Sequence, residues 1–523
     1  MALCRRFSVG LELMFRGLLS VGGFTLLSRL TGFGRDLALS AILGAGAIND
    51  AFVVAFRLPN QFRAIFGEGA FNTAYVPSYS RVLASEGDEE AKHFSSQIFT
   101  LLLASQLILL ALAFAFTPWL VDLMAPGFAA DPDKFALAVR MTRITFPYLL
   151  FITLVTLHSG TLNAHGRFAV AAFAPVLLNV AIIGFLGLAF LFPNAGEAAS
   201  WGVVVSGAAQ LALVAFAARR RGLLETLAWP RWSADLRQFF GALLPAIIGS
   251  AGVQIAIFAD TIIASLLPTG IVSSVYYAER LYQLPIGVIA VAAGTVLLPE
   301  MSRRLARGDE DGASLAQNRT MAITLALSAP FCIAFLQIPD LITRGAFLRG
   351  AFSAEAAASS AAVLAAYGLG LIPIVLIRSA VASFQSRGDT TTPMLIALGA
   401  IAVNVALKMA LYKSYGAVGL ALATATGAWV NLTGLVILAR RRAWMRPDAA
   451  LAEVFVAAFC ASGLLALAVA LSEAPAFVYA QGLAHLRNET QLIVLGAIGG
   501  LVYAAVLVIS LKILGVRFRA RQA

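Results

Sequence analysis

The chain has 523 residues, of which 60% are hydrophobic and only 12% charged, with a formal net charge of +11. A mean hydropathy of +0.85 excludes a water-soluble globular protein and points to a chain that lies mostly in hydrocarbon. The positive balance does not require nucleic acid as a partner, because basic loops on the inner face of a membrane meet anionic lipid headgroups.

Taking about 20 apolar residues as one span, predicted membrane helices fall at 13–32, 46–65, 93–118, 138–160, 168–192, 200–218, 238–264 and 271–297. They continue at 319–341, 360–385, 391–412, 416–439, 449–471 and 490–514, about fourteen in all. Residues 1–27 carry Arg5, Arg6 and Arg16 before an apolar run. No small-residue cleavage site closes that run, so it reads as the first span rather than a leader. With the N-terminus inside, the inner side receives most of the 38 basic residues, including Arg219–Arg220–Arg221, Arg303–Arg304, Arg440–Arg441–Arg442 and Arg517–Arg521. Arg29, Arg35, Lys134, Arg344, Arg349, Lys413 and Arg487 fall outside. This bias predicts a multi-pass inner-membrane protein with both termini in the cytoplasm.

Cys4, Cys332 and Cys460 have no pair spacing, and His93, His158, His165 and His485 are scattered. A disulfide framework, metal centre or haem therefore has no support, and no cofactor is expected.

The informative stretch is 28–80, SRLTGFGRDLALSAILGAGAINDAFVVAFRLPNQFRAIFGEGAFNTAYVPSYS. It places Arg29, Arg35, Asp36, Asp50, Arg57, Arg63 and Glu68 in segments that remain helical and largely apolar. A charge held in hydrocarbon costs at least ~2.5 kcal/mol, so such groups usually face a bundle interior or a wet cavity. Arginine's planar fork suits phosphate oxygens, and Arg280 of SSVYYAERLYQLP adds a fourth donor group. Arg29, Arg35, Arg63 and Arg280, expected on four different helices or helix ends, could hold a diphosphate, with Asp36, Asp50, Glu68 and Glu279 orienting them. The simpler alternative has Arg29 and Arg63 snorkelling to the interfaces, Arg35–Asp36 in a short loop, and Glu68 at a glycine-flanked break.

An internal repeat organises the rest. VPSYSRVLASEGDEE (76–90) matches LPEMSRRLARGDEDG (298–312), with Pro77 over Pro299 at an offset of about 222 residues. FRLPN (56–60) lies over ERLYQ (279–283), and Arg219–Arg221 over Arg440–Arg442. Each period holds six spans, an even number, so the halves enter the membrane in the same direction. The expected architecture is all-α and polytopic: a six-helix lobe at 1–222, a second at 223–445, and two additional helices in 446–523. Two such lobes are the form of an alternating-access transporter. A channel would want a filter, and an embedded enzyme an acid–base or metal set; neither is visible, and no catalytic residue is expected.

The motifs SRLTGFGRD, NDAFVVAFRLPNQFRAIFGEGAFNTAYVPSY, YYAERLYQLPIGV and QSRGDTTTP resemble the MurJ/MviN flippases over essentially the whole chain. That resemblance implies a member of the multidrug/oligosaccharidyl-lipid/polysaccharide exporter superfamily. Its cargo would be lipid II, an undecaprenyl diphosphate bearing a disaccharide-pentapeptide, moved to the outer leaflet of the plasma membrane. The implied partners are that glycolipid, membrane lipids and the cell-wall synthesis machinery; an alternative cargo is another undecaprenyl-linked saccharide such as an O-antigen unit. By motif, the family's essential arginines fall on Arg29, Arg35, Arg63 and Arg280, and its cavity acids on Asp36, Asp50 and Glu68. The two C-terminal helices would line a groove for the isoprenoid tail. Some members carry a sodium site, and Asp260, Asn404 and Thr424 match it by position. Lys408 replaces its second acid on the same helical face as Asn404, which makes this at most a former cation site.

Overall fold

The computed structural model describes residues 2–63, 70–481 and 486–515, and all extended regular structure among them is helical. The first half contains α1 (Ala2–Leu43), α2 (Ala47–Arg63), α3 (Ala70–Glu86), α4 (Asp88–Ala115), α5 (Thr117–Met124), α6 (Pro132–Thr145), α7 (Tyr148–Ala164), α8 (Phe168–Gly187), α9 (Ala195–Arg219) and α10 (Ala234–Ser265). Then follow α11 (Ile271–Ala306), α12 (Glu310–Gln337), α13 (Pro339–Phe347), α14 (Ala354–Gln385), α15 (Thr391–Arg441), α16 (Ala449–Ala480) and α17 (Arg487–Ile513). Every expected span overlies a helix. Among the described residues, ten helical stretches are long and apolar enough to cross a membrane, one of them α6 and α7 taken together and another the whole of α15.

Three local features go beyond the pattern of spans. Arg35 and Asp36 do not lie in a loop, because α1 runs through Gly32 and Gly34 to Leu43 and ends only at Gly44, whose φ is 66°. The two charges neutralise each other, so the helix can keep them. Secondly, residues 70–86 form α3, a helix that hydropathy alone does not reveal. Thirdly, α15 is broken at Gly416 (φ 54°, ψ −135°), a backbone conformation open essentially to glycine. Gly419, Gly427 and Gly434 approach Leu411, Asn404 and Ile396, pairs that nest around the break. The element is therefore two antiparallel helices with almost no loop.

The chain divides into two compact units, residues 1–273 and 274–523. In the first, α1 packs on α8, α8 and α7 on α9, and α3 on α10. Phe71, Tyr75, Tyr79, Phe94 and Phe239 form an aromatic core where α3, α4 and α10 meet. In the second, α14 packs against both α12 and α15, while α16 and α17 pair with each other. Helices in lipid gain little from apolar contact as such, so close approach through small residues carries the association. Gly370 on α14 fits this account: a Cβ there would lie 2.8 Å from Ala425 Cα on α15. The C-terminal pair joins its unit through Ala461, Leu465 and Tyr503, whose hydroxyl donates to the Ala326 carbonyl at 2.7 Å.

Candidate functional site

In α1, Arg35 is only 8% exposed and Asp36 4%. Arg35 donates from Nε (3.0 Å) and Nη2 (2.7 Å) to Asp36 Oδ1 and from Nη1 to Asn179 Oδ1 on α8 at 3.1 Å. The Asn179 amide returns two hydrogen bonds to α1, to the Ser28 carbonyl (3.0 Å) and Thr31 Oγ1 (3.1 Å). One amide side chain thus holds two turns of α1 and aims the guanidinium. Sequence reasoning missed Asn179, since an isolated Asn in an apolar helix has no local signature. Arg29 is exposed on the same helix, so the four arginines do not come from four helices; Arg29 and Arg35 share α1.

Arg57 and Arg63 lie on α2. Arg57 Nη1 donates to Thr261 Oγ1 of α10 at 2.7 Å, and Arg63 Nε to Asn60 Oδ1 at 3.1 Å. Glu68 lies outside the described residues.

Asp50, near the start of α2, is wholly buried. Its cation is Lys134 of α6, with Nζ at 2.7 Å, although charge patterning assigns Lys134 to an outer loop. The same carboxylate accepts from the backbone N–H of Gly270 (2.7 Å) and Ser273 (2.9 Å) and from Ser273 Oγ (2.6 Å). Those N–H groups open α11, so Asp50 caps that helix from a distant part of the chain and meets its positive end. Gly270 has φ 94°, and a Cβ there would lie 2.9 Å from the Ala45 carbonyl oxygen. Lys134 also sits 4.1 Å above the Phe128 ring. The chemistry of this cluster is a satisfied buried ion pair.

In the second unit, the Arg280 guanidinium lies 4.7 Å over the Tyr276 ring and reaches Gln283 Oε1 at 3.4 Å. Gln283 in turn donates to Glu279 Oε1 at 2.8 Å, so the amide bridges the acid and the arginine. Lys408 is fully buried and Asn404 9% exposed, and Thr424 Oγ1 donates to the Leu420 carbonyl. Asp260, the fourth position of the former cation site, belongs to the first unit. Among the described residues no cluster of His, Cys, Asp and Glu is arranged to hold a metal ion.

A further polar centre has no counterpart in the sequence reading. Glu225, on the extended segment between α9 and α10, is 5% exposed. It pairs with His158 Nδ1 of α7 and accepts from Ser95 Oγ of α4 (2.8 Å) and Thr161 Oγ1 of α7 (2.7 Å). Burial pushes its carboxyl up, but the His158 hydrogen bond and charge and the two hydroxyls outweigh that and hold it below the usual carboxylate range. Tyr75 closes the network, its hydroxyl 2.8 Å from Ser95 Oγ and 2.7 Å from Thr161 Oγ1. The backbone follows: Thr226 N–H donates to Ser96 Oγ (3.1 Å) and Ala228 N–H to Thr100 Oγ1 (3.0 Å), so the segment is strapped along α4.

Residues 39–485 match the family model described as lipid II flippase MurJ. The chain belongs to the MurJ family. The MurJ match covers Asp50, Arg63, Glu68, Asp260, Glu279, Arg280, Asn404, Lys408 and Thr424, whereas Arg29, Arg35 and Asp36 precede it. A probable lipid II flippase MurJ of Rhizobium meliloti is 40% identical over 418 residues, 79% of this chain and 78% of that protein. The lipid II flippase MurJ of Burkholderia cenocepacia is 34% identical over 463 residues, 86% and 89% of the two chains. Among solved structures, lipid II flippase MurJ in an inward closed conformation superposes with a TM-score of 0.81 over 94% of this chain and 99% of that one, at 23% identity. An inward-facing multidrug resistance transporter of the MATE family, in the MOP superfamily, gives 0.68 over 81% and 97%, at 14% identity. The many-span all-α fold is therefore that of MurJ, shared more loosely with drug exporters.

Proposed function

We propose that this chain is a lipid II flippase that carries the diphosphate-linked disaccharide-pentapeptide from the cytoplasmic to the periplasmic leaflet by alternating access. The observation that carries the reading is the MurJ family match across residues 39–485, joined by relatives of near-equal length that bear the same name. The protein is a transporter in the inner membrane and makes or breaks no bond.

In the detailed reading, the repeat forms two lobes related by an axis along the membrane normal, with both termini in the cytoplasm. Arg29, Arg35, Arg63 and Arg280 capture the diphosphate. Asp36, Asp50, Glu68 and Glu279 orient the cations, and the tail stays in lipid along the C-terminal pair. The geometry of Arg35 supports this role. Asp36 and Asn179 fix the plane of its guanidinium, and a preorganised fork loses less freedom when it meets phosphate oxygens. Asp50 supports it only indirectly, as the group that seats Lys134 and the start of α11.

The test uses proteoliposomes holding lipid II or another undecaprenyl-linked saccharide, with headgroup accessibility read from the far side, and rescue of a strain depleted of its lipid II flippase. Lipid II is expected to move and the strain to grow. Transport of the other glycolipid without lipid II would overturn the proposal.

A further inference from the structure

The membrane-crossing helices α4, α8 and α9 have ends on one face of the first unit, and a cleft of about 450 Å³ opens among those ends. Lys92 reaches it from the start of α4, Arg167 from the residue before α8 and Arg221 from the turn after α9. Asp88 and Glu89, in the first turn of α4, line the same cleft. Among the described residues, none of these five side chains makes a hydrogen bond or an ion pair with another. Three cations and two carboxylates that face one space without neutralising each other suit a guest carrying both signs. Guanidinium forks suit a phosphate, and carboxylates suit an ammonium with hydrogens to donate. The volume lies within the ~300–1,000 Å³ typical of ligand sites.

The surroundings indicate how that guest arrives. Phe168, directly after Arg167, is 44% exposed, and Phe216, one turn before the end of α9, is 55% exposed. Arg220 lies 4.5 Å over the Phe216 ring. On the strap leaving the cleft, Leu227 and Trp229 are 72% and 85% exposed. A tryptophan such as Trp229, beside basic groups at the ends of spans, marks the lipid headgroup level, and the exposed phenylalanines offer apolar surface beside it. The wall formed by Arg221 and Leu223 is held in place because Glu225, two residues on, is latched into the helices behind it.

We propose that this cleft binds the headgroup of a zwitterionic phospholipid whose phosphate carries a primary ammonium, as in an ethanolamine lipid. Lys92, Arg167 and Arg221 take the phosphate, Asp88 and Glu89 take the ammonium, and the acyl chains run down past Phe168 and Phe216. This site is separate from the arginines proposed to capture lipid II, and its test contains no lipid II.

The experiment exchanges the purified full-length chain into equal amounts of phosphatidylethanolamine, phosphatidylglycerol and phosphatidylcholine and counts retained lipid by native mass spectrometry. Retention of the ethanolamine lipid is expected to exceed the other two by about tenfold, the worth of one charge-assisted hydrogen bond. The double variant Arg167→Ala/Arg221→Ala should lose retention of all three. Asp88→Asn/Glu89→Gln should keep retention and abolish the preference for ethanolamine over glycerol. Equal retention of the ethanolamine and glycerol lipids by the unaltered chain would reduce the cleft to a basic rim and overturn the proposal. So would equal retention of the choline lipid, whose ammonium has no hydrogen to donate. Displacement of the lipid by soluble O-phosphoethanolamine at comparable affinity would overturn the lipid source.

Discussion

Glu225→Ala should release the strap between α9 and α10 while leaving the helices folded. The carboxylate has no exposed side-chain surface and is the acceptor for His158, Ser95 and Thr161. Truncation takes the acceptor from three buried donors, and at the lower end of about 1–3 kcal/mol for each one left unsatisfied the loss is about 3–5 kcal/mol. At 1.4 kcal/mol per factor of ten, local opening becomes about a hundred to a few thousand times more frequent. The reporters are the Thr226 and Ala228 amides, whose acceptors are Ser96 Oγ and Thr100 Oγ1. Their hydrogen exchange should accelerate by that factor, while amides in α7 and α9 change far less. Glu225→Gln keeps the shape and loses the charge, so it should fall between. Joining it with His158→Leu should cost less than the sum of the two single changes. The acid dependence has a definite sign. The folded carboxyl lies below its usual range, so the latch is at full strength above the unfolded value of about 4.3 and weakens as pH falls through the lower folded value. Exchange at Thr226 and Ala228 that is fast in the unaltered chain, or that Glu225→Ala leaves unchanged, would refute the reasoning.

Truncating Lys134 or Asp50 alone should lower the melting temperature in detergent more than Asp50→Asn/Lys134→Met together, since each single change strands a charge that is now paired at 2.7 Å. Arg35→Ala, and likewise Arg29, Arg63 and Arg280→Ala, should reduce lipid II transport per folded molecule by about tens-fold, with Lys restoring only part of it. Survival of normalised transport at three of the four would refute the anion-capture reading. Asn179→Ala should weaken transport through Arg35 without removing a charge, a difference visible as rescue by Asn179→Gln but not by Asn179→Leu. Gly127→Ala should lower folded yield and cost about 1–3 kcal/mol of thermal stability, because its Cβ would sit 2.0 Å from the Ser265 carbonyl oxygen with no flexible side chain to yield.

The helices were legible because hydrocarbon demands long apolar runs, and glycine and basic clusters punctuate them. Arg35, Asp36 and Asp50 could be singled out for the same reason: a charge in such a run must have an explanation. Their partners were not legible. Lys134 lies 84 positions from Asp50 and Asn179 144 from Arg35, distances over which no local pattern survives. Glu225 and His158 went unread for a related reason, since one looks like a loop acid and the other like an isolated residue in an apolar span. The α3 helix was obscured because its buried face is built of tyrosines, Tyr75 and Tyr79, whose hydroxyls bond to neighbours and dilute the hydropathy signal.

The break at Gly416 has a consequence for how the second unit is made and how it moves. With almost no residues at the crown, the two arms of α15 cannot cross the bilayer one after the other and wait for each other; they must enter as a ready-made hairpin. Glycines 419, 427 and 434 then zip the arms together along their length. Asn404 and Thr424, on opposite arms, are locked at a fixed relative depth. Neither arm can slide by a turn without unzipping the seam, so displacement during transport carries the pair as one stiff lever. An epitope inserted at the crown is expected to disable the protein by parting the arms.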